Sequence, residues 1–278
     1  NKWGVLYWMP YDNNLSQFGE SIMAMMSRGT RDSDKVVAVQ SDYRGDRSMR
    51  RRYIVDGVMT EIPADAWRYW QATGGQIGDN FSKENRPEDV QASPYEDSSD
   101  SDVLADYLAW ASQTFSAEHW AVIVVGHGGQ INQISPDDHR VIDSSRTWMC
   151  IDHFADVVIQ FNQSVGGQVD LLFFQNCNKA TLEVLYEAKD CARYTLASQF
   201  ALGAPNFYYE DWLTQLGTCN DSALTNGYDA ALAIMQAEDP SMYQTLTLVD
   251  NQAIAQLPAY LTPLLKILKH RSIAINVL

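Results

Sequence analysis

Two apolar runs that each stop in a polar turn, HWAVIVVGHGG (His119 to Gly129) and VDLLFFQNCNKA (Val169 to Ala180), constrain this chain more than anything else in it. Each is too short for a core helix and rich in Val, Ile, Leu and Phe, so each reads as a buried strand. In a parallel sheet the carboxyl ends of neighbouring strands open onto the crevice where ligands bind. The first run delivers His127 to that edge and the second delivers Cys177. An imidazole beside a thiol is the layout of a cysteine nucleophile with its acid/base partner. A cysteine after a strand also serves as an apolar filler, and His-Gly is a common turn, so the weight falls on their joint occurrence. The helix-sized segment between the two runs is what a right-handed crossover requires.

The remaining chain repeats the alternation of apolar strands and helical patterns, the signature of an α/β layer fold with a mostly parallel central sheet. Further strands are expected at Gly4 to Met9, Val36 to Asp42, Arg52 to Met59, Tyr194 to Ser198 and Thr245 to Val249. Helices are expected over Leu15 to Met26, capped by Asn13 or Asn14, and over Val103 to Phe115, preceded by Asp100, Ser101 and Asp102. A last stripe of Ile254, Leu257, Leu261, Leu264, Leu265 and Leu268 reads as core or a packing helix that Pro258 and Pro263 should break or kink, with any exposed part free to contact a partner.

Two polar stretches, 74–101 and 128–146, read as long surface loops. Arg47, Arg50, Arg51 and Arg52 read as a solvated charge cluster at a strand end or hairpin, with phosphate binding the lesser alternative in so acidic a chain. His139, His153 and His270 stand in polar or terminal contexts and are expected to face solvent, whereas His119, just before a strand, is structural. Asp137, Asp138 and Asp143 offer carboxylate oxygens of the kind that calcium selects, without an EF-hand spacing. Cys150, Cys177, Cys191 and Cys219 lack metal-ligand spacing, and no disulfide framework is expected.

The formal charge of −15 opposes non-specific binding to nucleic acid or to an anionic membrane and favours the approach of basic peptides at low salt. No run approaches the length of a membrane-spanning helix, and the N-terminus has no basic-then-apolar signal.

At the His127 and Cys177 segments the chain resembles the clostripain-like (C11) cysteine peptidases, which share the caspase-type fold. The likeness extends in order from Lys2 to about Leu261. KWGVLYWMPYDNNL is similar to that family's first strand and helix start, and SDVLADYLAWASQTFSAEHWAVIVVGHGG to its helix and histidine strand. VDLLFFQNCNKATLEVLYEAKDCARYTLASQ resembles the nucleophile strand, its helix and the next strand, and TLTLVDNQAIAQLPAYL the late strand and helix. The resemblance implies one three-layer α/β/α caspase-like domain over 1–278, since it crosses every candidate boundary. It implies a peptide or protein substrate, no required cofactor, and secretion or a cell-envelope site in a bacterium with the targeting segment absent from this chain. Some relatives use calcium.

As a cysteine endopeptidase, the chain would attack the scissile carbonyl with Cys177 and protonate the leaving amine from His127. Backbone N–H groups of Cys177 and Gly128 would receive the oxyanion. The same fold and dyad also permit a peptide ligase or an inactive binding module.

The family usually carries Asp-Ala-Cys at the nucleophile, its aspartate serving a basic P1 side chain. Here the triplet is Gln175-Asn176-Cys177, so both amides become candidate substrate-binding residues, with Glu210 and Asp211 as carboxylates that could reach the pocket instead. A neutral amide cannot neutralise a buried cation, which points away from basic P1 specificity. Relatives often cleave themselves between the dyad residues after a basic side chain, which makes Arg140 and Arg146 the candidates, although an ordinary variable loop is the favoured reading where Gln175 replaces the aspartate. Asn178-Lys179-Ala180 also departs from the family's usual Leu-Met after the cysteine.

Overall fold

Along the first strand, β1 (Trp3–Tyr11), every side chain is buried, so both faces of the sheet must be covered. The computed structural model describes residues 1–32, 34–46, 48–63, 97–139, 145–216 and 224–275, the last few of these in backbone only. After β1 come α1 Gly19–Gly29, β2 Lys35–Tyr43, β3 Arg50–Val55, β4 Val58–Ile62, α2 Ser101–Thr114 and β5 His119–Val125. They are followed by β6 Gln133–Asp137, β7 Thr147–Cys150, α3 Ile151–Val165, β8 Val169–Gln175, α4 Leu182–Glu187 and β9 Ala192–Ala197. The chain closes with α5 Tyr209–Gln215, α6 Gly227–Ala237, β10 Thr247–Asp250, α7 Asn251–Ile254 and α8 Leu257–Ile275.

An eight-stranded sheet runs in the order β10-β9-β8-β5-β1-β2-β3-β4, parallel from β9 to β2 and antiparallel at its edges. Trp3, Val5, Tyr7, Met9 and Tyr11 point into one core with Ile22, Met23 and Met26 of α1 and Trp212 and Leu213 of α5. Leu6 and Trp8 point the other way, into a core with Leu104 and Leu108 of α2 and Phe154 and Val158 of α3. The result is three layers. Each fully buried large apolar side chain contributes about 1.5–3 kcal/mol, so the central strands form a rigid platform for whatever their ends carry.

Several details differ from expectation. Arg52 to Met59 is not one strand: β3 and β4 pair with Val55 opposite Val58, and the turn residues Asp56 (φ 49°) and Gly57 (φ 75°) are both left-handed. That is the two-residue hairpin turn whose twist matches its strands.

Arg51 and Arg52 of the arginine cluster are buried rather than solvated. Arg51 meets Asp106 Oδ2 at 2.8 Å and Gln40 Oε1 at 2.7 Å, with Trp110 and Tyr107 against its guanidinium. Arg52, on the opposite face, bonds Glu20, Ser41 and Tyr43. Partners for both guanidiniums are what make that burial tolerable. Arg50 pairs with Asp46 nearer the surface, and Arg47 lies outside the described residues.

The 128–146 stretch is not an open loop, because β6 and β7 form an antiparallel pair within and beside it. Ser135 Oγ accepts from Trp8 Nε1 at 2.8 Å and donates to the Ser98 carbonyl at 2.6 Å, which draws the hairpin onto β1. The end of the 74–101 stretch is likewise interior: Asp97 to Ser101 are buried, and Ser98 N–H donates to Asp137 Oδ2 at 2.7 Å. Residues 74–96 lie outside the described residues.

His139 is buried, with Nε2 at 2.8 Å from Thr147 Oγ1 and Nδ1 at 3.1 Å from Asp137, because the hairpin folds it inward. His119 packs at a tilt against Trp3 and meets Asp170 at 3.2 Å, a structural arrangement, and His153 is half-buried. The side chain of His270 lies outside the described residues, as does Cys219; Cys150, Cys177 and Cys191 are free thiols.

The helix after β1 begins at Gly19 behind a short 3-10 turn, Ser16–Phe18, and neither Asn13 nor Asn14 caps it. Of the three residues expected to precede α2, Asp100 caps it by accepting from Asp102 N–H, while Ser101 and Asp102 lie inside its first turn. The last stripe breaks after Ile254, and α8 runs on through Pro263 with Leu264, Leu265 and Leu268 exposed, so among the described residues it is not a packing helix. No described helix is long and apolar enough to cross a membrane.

Candidate functional site

Register brings the two reactive side chains together. In the parallel pair β5/β8, Val125 stands opposite Gln175, so His127 and Cys177 each follow the same rung by two residues. Gly126 N–H extends the ladder by donating to the Gln175 carbonyl at 3.3 Å. Beyond it the two turns touch: a Cβ on Gly128 would collide with the carbonyl oxygen of Cys177, so only glycine permits this approach. Asn176 Nδ2 bonds the carbonyls of Gly126 and His127 at 3.1 Å and of Ile134 at 3.3 Å. Its amide is therefore buried in scaffolding rather than presented to a ligand.

Both His127 and Cys177 line one pocket of about 60 Å³ with Gln175, Asn206, Leu202 and Tyr11. His127 Nε2 lies 2.7 Å from Asn14 Oδ1, in the turn after β1. With a carbonyl oxygen on that side Nε2 carries the ring proton, which leaves Nδ1 as the nitrogen that can exchange one. Burial pulls the imidazole below its ordinary pKa, the Arg146 guanidinium pulls the same way, and the Asp138 carboxylate opposes them. Leu202 N–H donates to Cys177 Sγ at 3.4 Å.

Gln175 is buried at the pocket floor with both ends of its amide engaged. Oε1 accepts from Tyr208 OH at 2.7 Å, while Nε2 donates to Tyr209 OH at 2.8 Å and to Asn206 Oδ1 at 2.5 Å. Burial holds the Tyr208 and Tyr209 phenols well above their ordinary pKa, so both stay neutral. Behind Asn206 stands Glu238, half of whose carboxylate accepts from Phe207 N–H at 3.0 Å and Asp239 N–H at 2.9 Å. A further bond from the Asn206 side chain fixes that amide with its nitrogen toward Glu238 and its oxygen toward Gln175. Burial raises the Glu238 pKa against these bonds.

The other sequence candidates lie elsewhere. Glu210 pairs with Arg28 at 2.7 Å on the outside of α5, Asp211 is exposed, and neither lines the pocket. Arg146 is bound to Asp138 and packs over Trp148, while Arg140 and Asp143 lie outside the described residues. Ligand-type atoms of Asp97, Asp137 and His139 lie within 4.8 Å of one another in the interior, and those of Cys150, Asp152 and His153 do so nearer the surface. Neither group lines the dyad pocket.

Sequence reasoning missed Asn14, Asn206 and Glu238. Asn14 carried a signal, a polar side chain just past the strand beside β5, but it read equally well as a helix cap. Asn206 and Glu238 are remote in sequence and no local pattern marks them.

A profile of the clostripain family matches residues 7–277. No curated protein matches the chain. Among solved structures, a secreted C11 cysteine protease from Bacteroides thetaiotaomicron in complex with an irreversible peptide inhibitor is similar at TM-score 0.63 and 17% identity, over 93% of this chain and 69% of that one. An inactive zymogen C11 protease from Parabacteroides distasonis is similar at TM-score 0.61 and 14% identity, over 92% and 64%. At these identities the likeness is one of fold, and the chain spans about two thirds of the length of these structures.

Proposed function

The chain belongs to the clostripain family of cysteine peptidases, and from that premise we propose that it hydrolyses peptide bonds through Cys177 and His127, with a neutral rather than a basic P1 residue. The observation that carries this is the shared rung beneath the two residues and the single pocket both line. Cys177 sulfur, as thiolate, attacks the scissile carbonyl; its carbon–nitrogen bond then breaks as the amine leaves with a proton from His127. Water hydrolyses the resulting thioester, releasing the acid and regenerating the thiol. The backbones of Cys177 and Gly128 approach at a contact only glycine allows, and their N–H groups are the donors proposed for the tetrahedral oxyanion.

The P1 assignment comes from the pocket floor. An Arg or Lys side chain would meet two amides, with the nearest carboxylate, Glu238, behind Asn206 rather than in the pocket. Burying a cation there without a partner costs several kcal/mol, so neutral side chains are preferred. The Bacteroides neighbour is described as secreted, which supports a site of action outside the bacterial cytoplasm.

A panel of peptide electrophiles with varied P1 groups, read by mass spectrometry, tests the whole reading. Selective modification of Cys177, strongest with neutral P1, is the expected result. Modification of no cysteine by any member would sink the peptidase assignment, and preference for arginine would sink the specificity.

A further inference from the structure

Two donors flank the nucleophile in sequence, and both reach the loop that carries His127. Asn176 holds the carbonyls of Gly126, His127 and Ile134. Lys179 Nζ donates to the Gln130 carbonyl at 2.7 Å and lies 3.5 Å from that of Ile131. The Lys179 side chain is wholly buried. Its ammonium is held by these carbonyl dipoles and by attraction to the Cys177 sulfur, not by a carboxylate among the described residues.

A lysine is an expensive latch. Desolvating an ammonium costs free energy that a neutral amide such as Asn176 does not incur, and burial here pulls the Lys179 pKa down to about 8. If two loops had only to be tied together, a second amide would suffice. What the ammonium adds is charge, placed two residues along the chain from the sulfur that becomes negative and beside the turn whose Gly128 packs against the Cys177 backbone. In a water-poor site such a charge acts on developing anions with little reorganisation.

We propose that Lys179 is a positioning residue that latches the Gly128–Ile131 turn onto the nucleophile turn and, through its fixed positive charge, supports the negative charge on the sulfur and on the carbonyl oxygen during attack. The inference rests on Cys177 being the nucleophile.

Three variants separate latch from charge. Lys179→Gln keeps a donor for the Gln130 carbonyl and removes the charge, Lys179→Met removes both, and Lys179→Arg keeps both in a bulkier form. Each is checked for cooperative unfolding by circular dichroism, then for the rate of Cys177 alkylation by iodoacetamide at neutral pH, then for kcat and KM on a cleaved peptide. Lys179→Gln and Lys179→Met should both alkylate and turn over more slowly by on the order of tenfold, with KM little changed and partial recovery in Lys179→Arg. Should Lys179→Met not fold, the Gln variant carries the comparison alone. Wild-type rates in Lys179→Gln would overturn the proposal, leaving Lys179 a latch only. If instead wild-type Cys177 resists alkylation altogether, the nucleophile assignment fails, and the lysine proposal falls with it. Slow alkylation in both charge-free variants of a wild type that alkylates but cleaves no peptide would support the lysine effect and refute hydrolysis alone.

Discussion

His127 Nε2 stands 2.7 Å from Asn14 Oδ1, a bond that joins the turn after β5 to the turn after β1. Facing an oxygen, Nε2 carries the ring proton, so in the proposed mechanism Asn14 would orient the imidazole that transfers a proton without itself touching the substrate. Asn14→Ala should lower kcat by on the order of tenfold while leaving KM and thermal stability nearly unchanged, since the residue is exposed. Steady-state kinetics on one peptide would decide it, and an unchanged kcat would remove Asn14 from the machinery.

The electrostatics around the same ring give a pH prediction with a fixed sign. Burial and then the Arg146 charge lower the His127 pKa, while Asp138 raises it. Arg146→Gln removes a depressing charge and releases Asp138 from its ion pair, and both changes raise the pKa. The imidazolium that protonates the leaving amine is lost as pH rises through that value, so the alkaline limb of kcat/KM should move to higher pH. A limb that stays in place, or moves down, would show that His127 does not control it.

Stability is concentrated in a different charge pair. Arg51 and Asp106 are buried together at 2.8 Å, and removing one partner leaves the other charge desolvated. Asp106→Ala should therefore cost about 3–5 kcal/mol in urea unfolding. The more exposed Arg50–Asp46 pair offers the internal control, where Asp46→Ala should cost less than about 1 kcal/mol. Equal effects would mean that the Arg51 pair is no more than a surface contact.

These contrasts also mark what was legible in the sequence. The central strands could be read because burial on both faces forces a continuous apolar run, and β8 ends where the run VDLLFFQ ends. His127 and Cys177 could be read because each stands where such a run stops. Arg51 and Arg52 could not, since an arginine's burial depends on partners as distant as Asp106 and Glu20 that only the fold assembles. The same holds for the pocket floor, where Gln175 was visible beside the nucleophile but Asn206 and Glu238 arrive from beyond β9. Side chains that act through long-range contacts leave no periodic trace.

The pocket floor yields the prediction that bears most directly on substrate choice. Gln175 donates to Asn206 and accepts from Tyr208, and Glu238 holds Asn206 from behind, so the pocket presents oriented neutral dipoles. Wild type should hydrolyse Arg and Lys peptides weakly compared with neutral P1 analogues. Gln175→Asp and Asn206→Asp should each raise kcat/KM for Arg relative to a neutral P1, by on the order of tenfold or more, because a charged partner replaces an amide in a desolvated site. Taking the ratio within each variant cancels any general loss from disturbing the Tyr208 and Tyr209 bonds. Efficient wild-type cleavage after arginine, with no response to either substitution, would mean that another carboxylate reads the P1 side chain. Glu238 would then be the first to replace, because Glu210 faces Arg28 and Asp211 lies outside the pocket.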